Sequence, residues 1–169
     1  MTVDEIALDD SAAALLRRAI AIAQTARARG NHPFGALLAD SAGAILLESE
    51  NAVTTTGDAT AHAEMLLASA ASRSLRSEER AGATLYTSTE PCAMCAGAIY
   101  WSGIGRVLYA MPESRLLALT GSDPANPTMQ LDCRVVLRSG QRPIEVVGPA
   151  LVDEAIAVHL GFWGVSAPD

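Results

Sequence analysis

The sequence of 169 residues is long enough to bury one substantial core, and its 50% hydrophobic and 18% charged residues exclude a disordered chain. No apolar run reaches the roughly 18 residues that cross a bilayer, and the acidic start lacks the basic region of a signal peptide, so we expect a cytoplasmic protein without a membrane partner. The net charge of -7 and the lack of lysine argue against nucleic acid as a partner and favour small neutral substrates.

The first part of the chain predicts a helix followed by a β-hairpin. Apolar residues at helical spacing predict a helix over residues 11–29, after a capping signal at residues 9–11. Residues 34–39 and 44–47 are short apolar runs around a turn-forming segment, which is the pattern of a β-hairpin. A polar loop is expected over residues 51–58.

The rest of the chain alternates between helices and strands. Thr60 is typical of a helix cap, so a second helix is expected over residues 61–74. Residues 83–88 predict a buried strand, and a third helix follows with Pro91 near its first position. This alternation predicts a three-layer α/β/α fold, and the absence of a linker predicts one domain over residues 1–169. The remaining predicted elements are two strands and a closing helix, at residues 106–110, 144–147 and 151–159.

Two cysteines and one histidine form a predicted metal site. Cys92 and Cys95 have the spacing Cys-x-x-Cys at a helix start, where the positive helix end favours thiolates and both sulfurs can reach one ion. His62, at another helix start, completes the three protein ligands of a catalytic zinc, whose fourth position is left to water. We therefore expect one zinc ion per chain. Three cysteines fit no self-contained disulfide framework, so Cys133 is taken as a buried or bystander thiol.

Glu64 lies two residues after His62 in the same predicted helical turn. Its carboxylate is expected to reach a water at the zinc ion without binding the metal, as a general acid and base must. Zinc lowers the pKa of water from about 15.7 towards about 7. The pattern His-x-Glu followed by Pro-Cys-x-x-Cys is the signature of zinc deaminases, so the predicted reaction is hydrolytic deamination. The other two histidines, His32 and His159, are expected in surface or packing roles.

These motifs are similar to those of the cytidine deaminase-like superfamily, in the branch of guanine deaminases, cytosine deaminases and tRNA adenosine deaminases. Residues 33–36, 54–56 and 99–101 resemble the bacterial guanine deaminases most. The resemblance implies a five-stranded mixed sheet between helices. Ala59 departs from a proline that is common in the family, and residues 112–131 match no family pattern. The stretches that carry the resemblance are residues 31–36, Asn51, residues 60–64 and residues 87–101.

The resemblance also implies residues that bind the substrate. Asn51 matches an amide that contacts the substrate ring, the backbone of Ala63 matches a contact to a ring carbonyl, and Phe34 matches a pocket wall. A turn role for Asn51 and a core role for Phe34 stay open. Guanine deaminases use a second carboxylate after the cysteine helix. Counting from the cysteine motif without gaps places Asp123 there, with Glu113 as the alternative, although Asp123 before a proline equally fits a plain turn.

Family members are usually dimers, so the resemblance implies a homodimer. In guanine deaminases the C-terminal tail can close the active site of the partner subunit, and Phe162 and Trp163 are the residues placed to do so here. The expected partners are therefore a second copy of the chain and a small nucleobase.

The predicted function is zinc-dependent deamination of an aminated heterocyclic base, with guanine to xanthine and ammonia as the leading reaction. Cytosine, a purine nucleoside, a pterin or a triazine stay open as substrates. A tRNA adenosine deaminase is the main alternative, and it is disfavoured because the single basic cluster, at residues 73–80, is interrupted by Glu78 and Glu79. A zinc-stabilised binding protein without catalysis would need a replacement at Glu64.

Overall fold

One five-stranded sheet forms the centre of the computed structural model, which describes residues 5–121, 123–124 and 126–163. The order of strands across it is β2-β1-β3-β4-β5, where β1 is Gly35–Ala39, β2 is Ile45–Glu50, β3 is Thr84–Thr89, β4 is Arg106–Met111 and β5 is Glu145–Val147. β1 is antiparallel to both of its neighbours, whereas β4 is parallel to both β3 and β5. The predicted mixed sheet of five strands is confirmed.

The hairpin of β1 and β2 is confirmed, and its turn is held by Asp40. The Oδ1 atom of Asp40 accepts hydrogen bonds from the backbone N–H groups of Ala42 and Ala44, both at 2.9 Å. Gly43 has a φ of 84°, in the left-handed region that favours glycine. β2 runs three residues past its predicted end, because Glu50 still pairs with Gly35 at the far end of β1.

Helices cover both faces of the sheet. None of those in the described part of the chain is long and apolar enough to cross a membrane. The helices of this part are α1 (Asp10–Ala28), α2 (Val53–Thr56), α3 (Ala63–Ser74), α4 (Ser77–Ala81), α5 (Ala93–Ser102), α6 (Glu113–Thr120), α7 (Cys133–Arg138) and α8 (Val152–His159).

Side-chain alternation along the strands builds two hydrophobic cores. Leu37 and Leu108 point to the face that α1 and α8 cover, and their neighbours Leu38 and Val107 point to the face that α3 and α5 cover. All four side chains are fully buried. The predicted three-layer α/β/α arrangement is confirmed.

The start of α3 differs from the prediction. The helix begins at Ala63 with His62 as its N-cap residue, whereas Thr60 was predicted as the cap. Thr60 instead belongs to a turn, in which its hydroxyl donates to Asp58 Oδ1 at 2.7 Å. The Thr60 hydroxyl thus bonds within a turn three residues before the first helical residue, and Ala63 and Glu64 occupy the first helical turn.

Four short helices were not predicted. α2 lies in the predicted polar loop, α4 in the charged stretch before β3, α6 in the segment without a readable pattern, and α7 follows that segment. They span between four and eight residues, which is too short for a clear hydrophobic period. α6 and α7 matter for the site, because their starts lie beside it.

Candidate active site

Two helix starts bring His62, Cys92 and Cys95 together. His62 is the N-cap residue of α3, Cys92 is the N-cap residue of α5, and Cys95 lies in the first turn of α5. The Nδ1 atom of His62 is 3.7 Å from the Sγ atom of Cys92 and 3.6 Å from that of Cys95. All three atoms lie within 4.8 Å of one another.

The spacing and chemistry of these atoms fit a zinc ion. Bonds of about 2.3 Å to sulfur and about 2.0 Å to nitrogen in a tetrahedron place the ligand atoms roughly 3.5–3.8 Å apart. The two distances from His62 to the cysteine sulfurs fall in that range. Two thiols and one imidazole are also the donors that zinc prefers. His62, Cys92 and Cys95 could therefore hold a zinc ion with one coordination position left open.

A hydrogen bond between the two thiols shifts their pKa values in opposite directions. A hydrogen bond from Cys95 lowers the pKa of Cys92 to about 4, with a further contribution from His62, although burial opposes this shift. The same hydrogen bond, together with burial, raises the pKa of Cys95. The two sulfurs are therefore coupled, and a metal ion that binds both as thiolates would displace protons from the pair.

Glu64 lies in the first turn of α3 with its side chain directed into the protein. It is 5% exposed, and its Oε1 atom accepts a hydrogen bond from the Thr87 hydroxyl at 2.7 Å. Burial raises the pKa of the Glu64 carboxyl, and the bond from Thr87 opposes this shift. A fixed carboxyl with a raised pKa suits a group that takes up and releases a proton.

A small cavity of about 40 Å³ adjoins these residues. A wider cleft of about 400 Å³ opens beside it and shares four of its lining residues: His62, Cys92, Glu113 and Asn126. No arginine lines either space among the described residues. The cavity is lined by Phe34, His62, Glu64, Thr89, Glu90, Cys92, Glu113, Leu116 and Asn126.

The predicted substrate residues differ in their relation to this cavity, and their roles stay predictions. Phe34 lines it directly. Asn51 is fully buried; its Oδ1 atom accepts from the Val53 N–H at 3.1 Å, and its Nδ2 atom has no hydrogen-bond partner among the described residues. Buried amide donors seldom stay unpaired, so Nδ2 is suited to a ligand atom. Ala63 is fully buried at the first position of α3.

Of the two candidates for a second carboxylate, Glu113 lines both spaces. It opens α6, and burial raises the pKa of its carboxyl to about 7, with a further increase from Cys92. Asp123 lines neither space; burial lowers the pKa of His32, and the charge of Asp123 opposes that shift. The segment around Asp123 is only partly described, because residues 122 and 125 lie outside the described residues.

Sequence reasoning did not single out several residues at the site, among them Thr87, Glu90 and Asn126. Thr87 had a usable signal, since strand alternation with the buried Leu85 places it on the face that α3 covers. Glu90 belongs to the cysteine motif, but nothing in the motif shows where its carboxyl points. Asn126 lies in the segment without a readable pattern, and no signal identified it.

The C-terminal aromatic residues pack inside their own chain. The ring of Trp163 lies 5.3 Å from that of His32 and 6.1 Å from that of Phe34, and its Nε1 atom donates to Nδ1 of His159 at 3.1 Å. Phe162 packs edge-on against Trp163 at 4.9 Å. This cluster backs the cavity wall formed by Phe34. Residues 164–169, the end of the predicted tail, lie outside the described residues.

Residues 9–111 match the model of the cytidine and deoxycytidylate deaminase zinc-binding region. This stretch covers more than half of the chain and includes the three candidate zinc ligands His62, Cys92 and Cys95 together with Glu64. The chain belongs to this family. Membership makes it a hydrolase of the zinc-dependent deaminase type, acting on C–N bonds, as the sequence motifs predicted.

Several family members are similar to this deaminase over different parts of its length. A probable cytosine deaminase of Schizosaccharomyces pombe is 42% identical over 92% of this chain and 94% of its own length. The guanine deaminase of Bacillus subtilis is 44% identical over 56% of this chain and 61% of its own. A tRNA-specific adenosine deaminase of Haemophilus influenzae is 35% identical over 62% of this chain and 61% of its own.

The structure of guanine deaminase from Nitrosomonas europaea has the same fold. It aligns with a TM-score of 0.75 over 94% of this chain and 87% of its own, at 24% sequence identity. At this identity the likeness concerns the fold alone. The deaminase fold of the chain is thus shown by sequence and by structure, while these relatives differ in the substrates for which they are named.

Proposed function

We propose that this deaminase removes the amino group of a free nucleobase, with water as the second substrate. The observation that carries the proposal is the convergence of Glu64 and Glu113 with His62 and Cys92 on one small cavity. A base that carries an amino group offers N–H donors to such carboxyl groups. The cavity lining includes no arginine among the described residues, which suits a neutral base.

Glu64 performs the proton transfers in this proposal. Bound at His62, Cys92 and Cys95, a zinc ion supplies Lewis-acid chemistry that makes water a nucleophile near neutral pH. Glu64 takes a proton from the attacking water and returns it to the leaving amine, so the C–N bond breaks and the products are an oxo base and ammonia. The Thr87 hydroxyl keeps the Glu64 carboxyl in place during both transfers.

Three residues orient the base in the cavity. Phe34 forms an apolar wall, the unpaired Nδ2 atom of Asn51 donates to a ring acceptor, and Glu113 accepts from a ring N–H. Asp123 and Glu113 are the two candidates for the second carboxylate, and the position of Glu113 in the cavity lining supports Glu113 in this proposal. The remaining parts of the proposal are one zinc ion per chain, a homodimer and a cytoplasmic location.

Guanine is the first candidate substrate, because residues 33–36 and 99–101 resemble those of guanine deaminases. Cytosine is the second candidate, since the relative that matches nearly the whole chain is named as a probable cytosine deaminase. Both bases present an amino group beside a ring nitrogen, so the same proton transfers serve either.

The test is a substrate panel with purified, zinc-replete protein. Guanine, cytosine, guanosine, adenine, a pterin and ammeline are each incubated with the wild type and with Glu64→Gln, and ammonia release is followed. We expect the highest kcat/KM of the wild type on guanine, and a loss of activity of about 100-fold or more in Glu64→Gln. If kcat/KM is highest on cytosine, the substrate assignment changes to cytosine and the proposed mechanism stands. Turnover of guanosine but of no free base would contradict the proposal, and so would no turnover at all.

A further inference from the structure

Glu90 is a buried carboxylate that joins two helix starts. It is 7% exposed. Its Oε2 atom accepts a hydrogen bond from the backbone N–H of Glu113 at 3.1 Å, and its Oε1 atom accepts from the backbone N–H of Cys133 at 3.0 Å. Glu113 is the first residue of α6 and Cys133 is the first residue of α7. These N–H groups have no partner within their own helices, so the carboxylate satisfies both.

The backbone of Glu90 connects these helices to the metal cluster. Its N–H donates to the carbonyl oxygen of Met111 at 2.8 Å, directly after the paired ends of β3 and β4. Two residues later the chain reaches Cys92. Glu90 is therefore fixed to the sheet through its backbone and to α6 through its side chain. Glu90 thus links the start of α6, and with it Glu113, to the strand end that leads to Cys92.

We propose that Glu90 is a positioning residue, which holds the Glu113 carboxyl opposite His62 and Cys92 and thereby sets the affinity for the base. The inference rests on the proposed role of Glu113 in substrate binding. Glu90 also lines the cavity, but both of its oxygens already accept backbone hydrogen bonds. Its part is thus to place α6, while Glu113 makes the contact with the base.

The experiment compares Glu90→Gln, Glu113→Gln and the double variant on the base with the highest kcat/KM. An amide has only one acceptor oxygen, so Glu90→Gln can keep one of the two backbone hydrogen bonds and opposes the other with its NH2 group. We expect Glu90→Gln to raise KM roughly tenfold or more, with a smaller change in kcat and with zinc content unchanged. In the Glu113→Gln background the same substitution should change KM little, because the group that it positions is gone.

Asp132→Ala is the matched control. The Asp132 side chain caps α7 by accepting from the Arg134 N–H at 2.7 Å, so its loss weakens the same helix start without touching Glu113. It should lower Tm and leave KM unchanged. Glu90→Asp keeps the charge but shortens the side chain, so its KM should lie between those of the wild type and Glu90→Gln. If Glu90→Gln does not fold, Glu90→Asp tests the positioning role in its place.

Two results would overturn the inference. One is a Glu90→Gln variant that behaves like Asp132→Ala, with a lower Tm and an unchanged KM, while Glu113→Gln raises KM. The other is a full effect of Glu90→Gln in the Glu113→Gln background. An unchanged KM in Glu113→Gln would instead refute the proposed role of Glu113. A crystal structure of Glu90→Gln or Glu90→Asp gives a readout without turnover: the inference predicts a displaced Glu113 carboxyl, and an undisplaced one contradicts it.

Discussion

Glu64 and His62 lie at the same helix start, but their side chains point in different directions and have different roles. His62 directs a ring nitrogen at the two cysteine sulfurs, while Glu64 turns into the protein and meets the Thr87 hydroxyl. The carboxyl is thereby held beside the metal cluster without being part of it. This division of tasks makes the two residues separable by mutation.

Glu64→Gln should keep the fold and the zinc ion but lose activity by about 100-fold or more. The amide is similar in size to the carboxyl and can still pair with Thr87, but it cannot carry the proton. Steady-state kcat and zinc content by atomic emission check both parts. Thr87→Val serves as the control that removes only the orienting hydrogen bond, and it should lose less activity. Near-normal kcat in Glu64→Gln would refute the proton-transfer role.

His159 gives a prediction about stability and pH. It is 1% exposed, and burial lowers its pKa to about 3, with a further effect from Arg27. The folded-state pKa thus lies below the ordinary value of 6.5, so the contribution to stability is present above pH 6.5 and is lost as pH falls towards 3. His159→Gln does not titrate, and it keeps an acceptor for Trp163.

Between pH 7 and pH 4.5 the wild type should lose about 2–3 kcal/mol more unfolding free energy than His159→Gln. Urea unfolding of both proteins at the two pH values measures this difference. Loss of zinc in acid affects both proteins alike and cancels. Parallel loss of stability in the two proteins would show that His159 does not take up a proton on unfolding.

At this scale the sequence predicts what local geometry determines. Cys92 and Cys95 converge because they are three residues apart at a helix start, and the place of Glu64 follows in the same way from His62. The contact of Glu90 with α6 depends instead on the pairing of β3 with β4, which no local period encodes. For the same reason, counting along the sequence could not choose between Glu113 and Asp123.

Among the elements, α1 lies unusually close to β1. A Cβ atom at Gly35 would stand 2.6 Å from the Ala19 carbonyl oxygen and would also overlap the backbone nitrogen of Ala23. Real Cβ atoms do not approach a backbone this closely, so glycine is required for α1 to pack on the strand. Phe34, which lines the cavity, is the neighbouring residue.

Gly35→Ala should therefore destabilise the protein by about 3 kcal/mol, since α1 must move away from the sheet. Gly97→Ala is the matched control: the added Cβ meets nothing within 4 Å, and alanine in a helix is favoured by about 0.5–1 kcal/mol. Chemical unfolding measures both variants. Equal stability of the two would contradict the close packing of α1 on β1.

The long elements could be predicted and the short helices could not. α1 and the strands carry a hydrophobic period that reflects the faces they bury. α7 has six residues, and its start is fixed by Asp132 and by the distant Glu90. Tertiary contacts of this kind determine whether a short segment forms a helix, and the sequence of the segment alone gives little indication of it.

For the whole molecule, the net charge of -7 bears on the choice between a base and an RNA substrate. RNA must be held through its phosphates, and an acidic surface opposes that. The wider cleft beside the cavity has no arginine among its described lining residues. A likeness to tRNA deaminases over 62% of the chain thus reflects the shared zinc region as much as any shared substrate.

We predict that the protein forms no inosine in an anticodon stem-loop RNA at physiological salt, since the net charge of -7 opposes binding of the phosphates. Liquid chromatography of the digested RNA measures inosine directly, and an authentic tRNA adenosine deaminase serves as the positive control. Inosine above the background of the Glu64→Gln variant would show that the protein deaminates adenosine in RNA despite its net charge.

We propose that this chain deaminates a base with a zinc ion held at His62, Cys92 and Cys95, and the decisive experiment is a zinc titration of the metal-free protein. Zinc is added in steps while bound metal and ammonia release from the preferred base are measured together. We expect no ammonia release without zinc, and a linear rise in ammonia release that stops at one zinc ion per chain. Turnover by the metal-free protein, or a fully loaded protein that releases ammonia from no base, would contradict it.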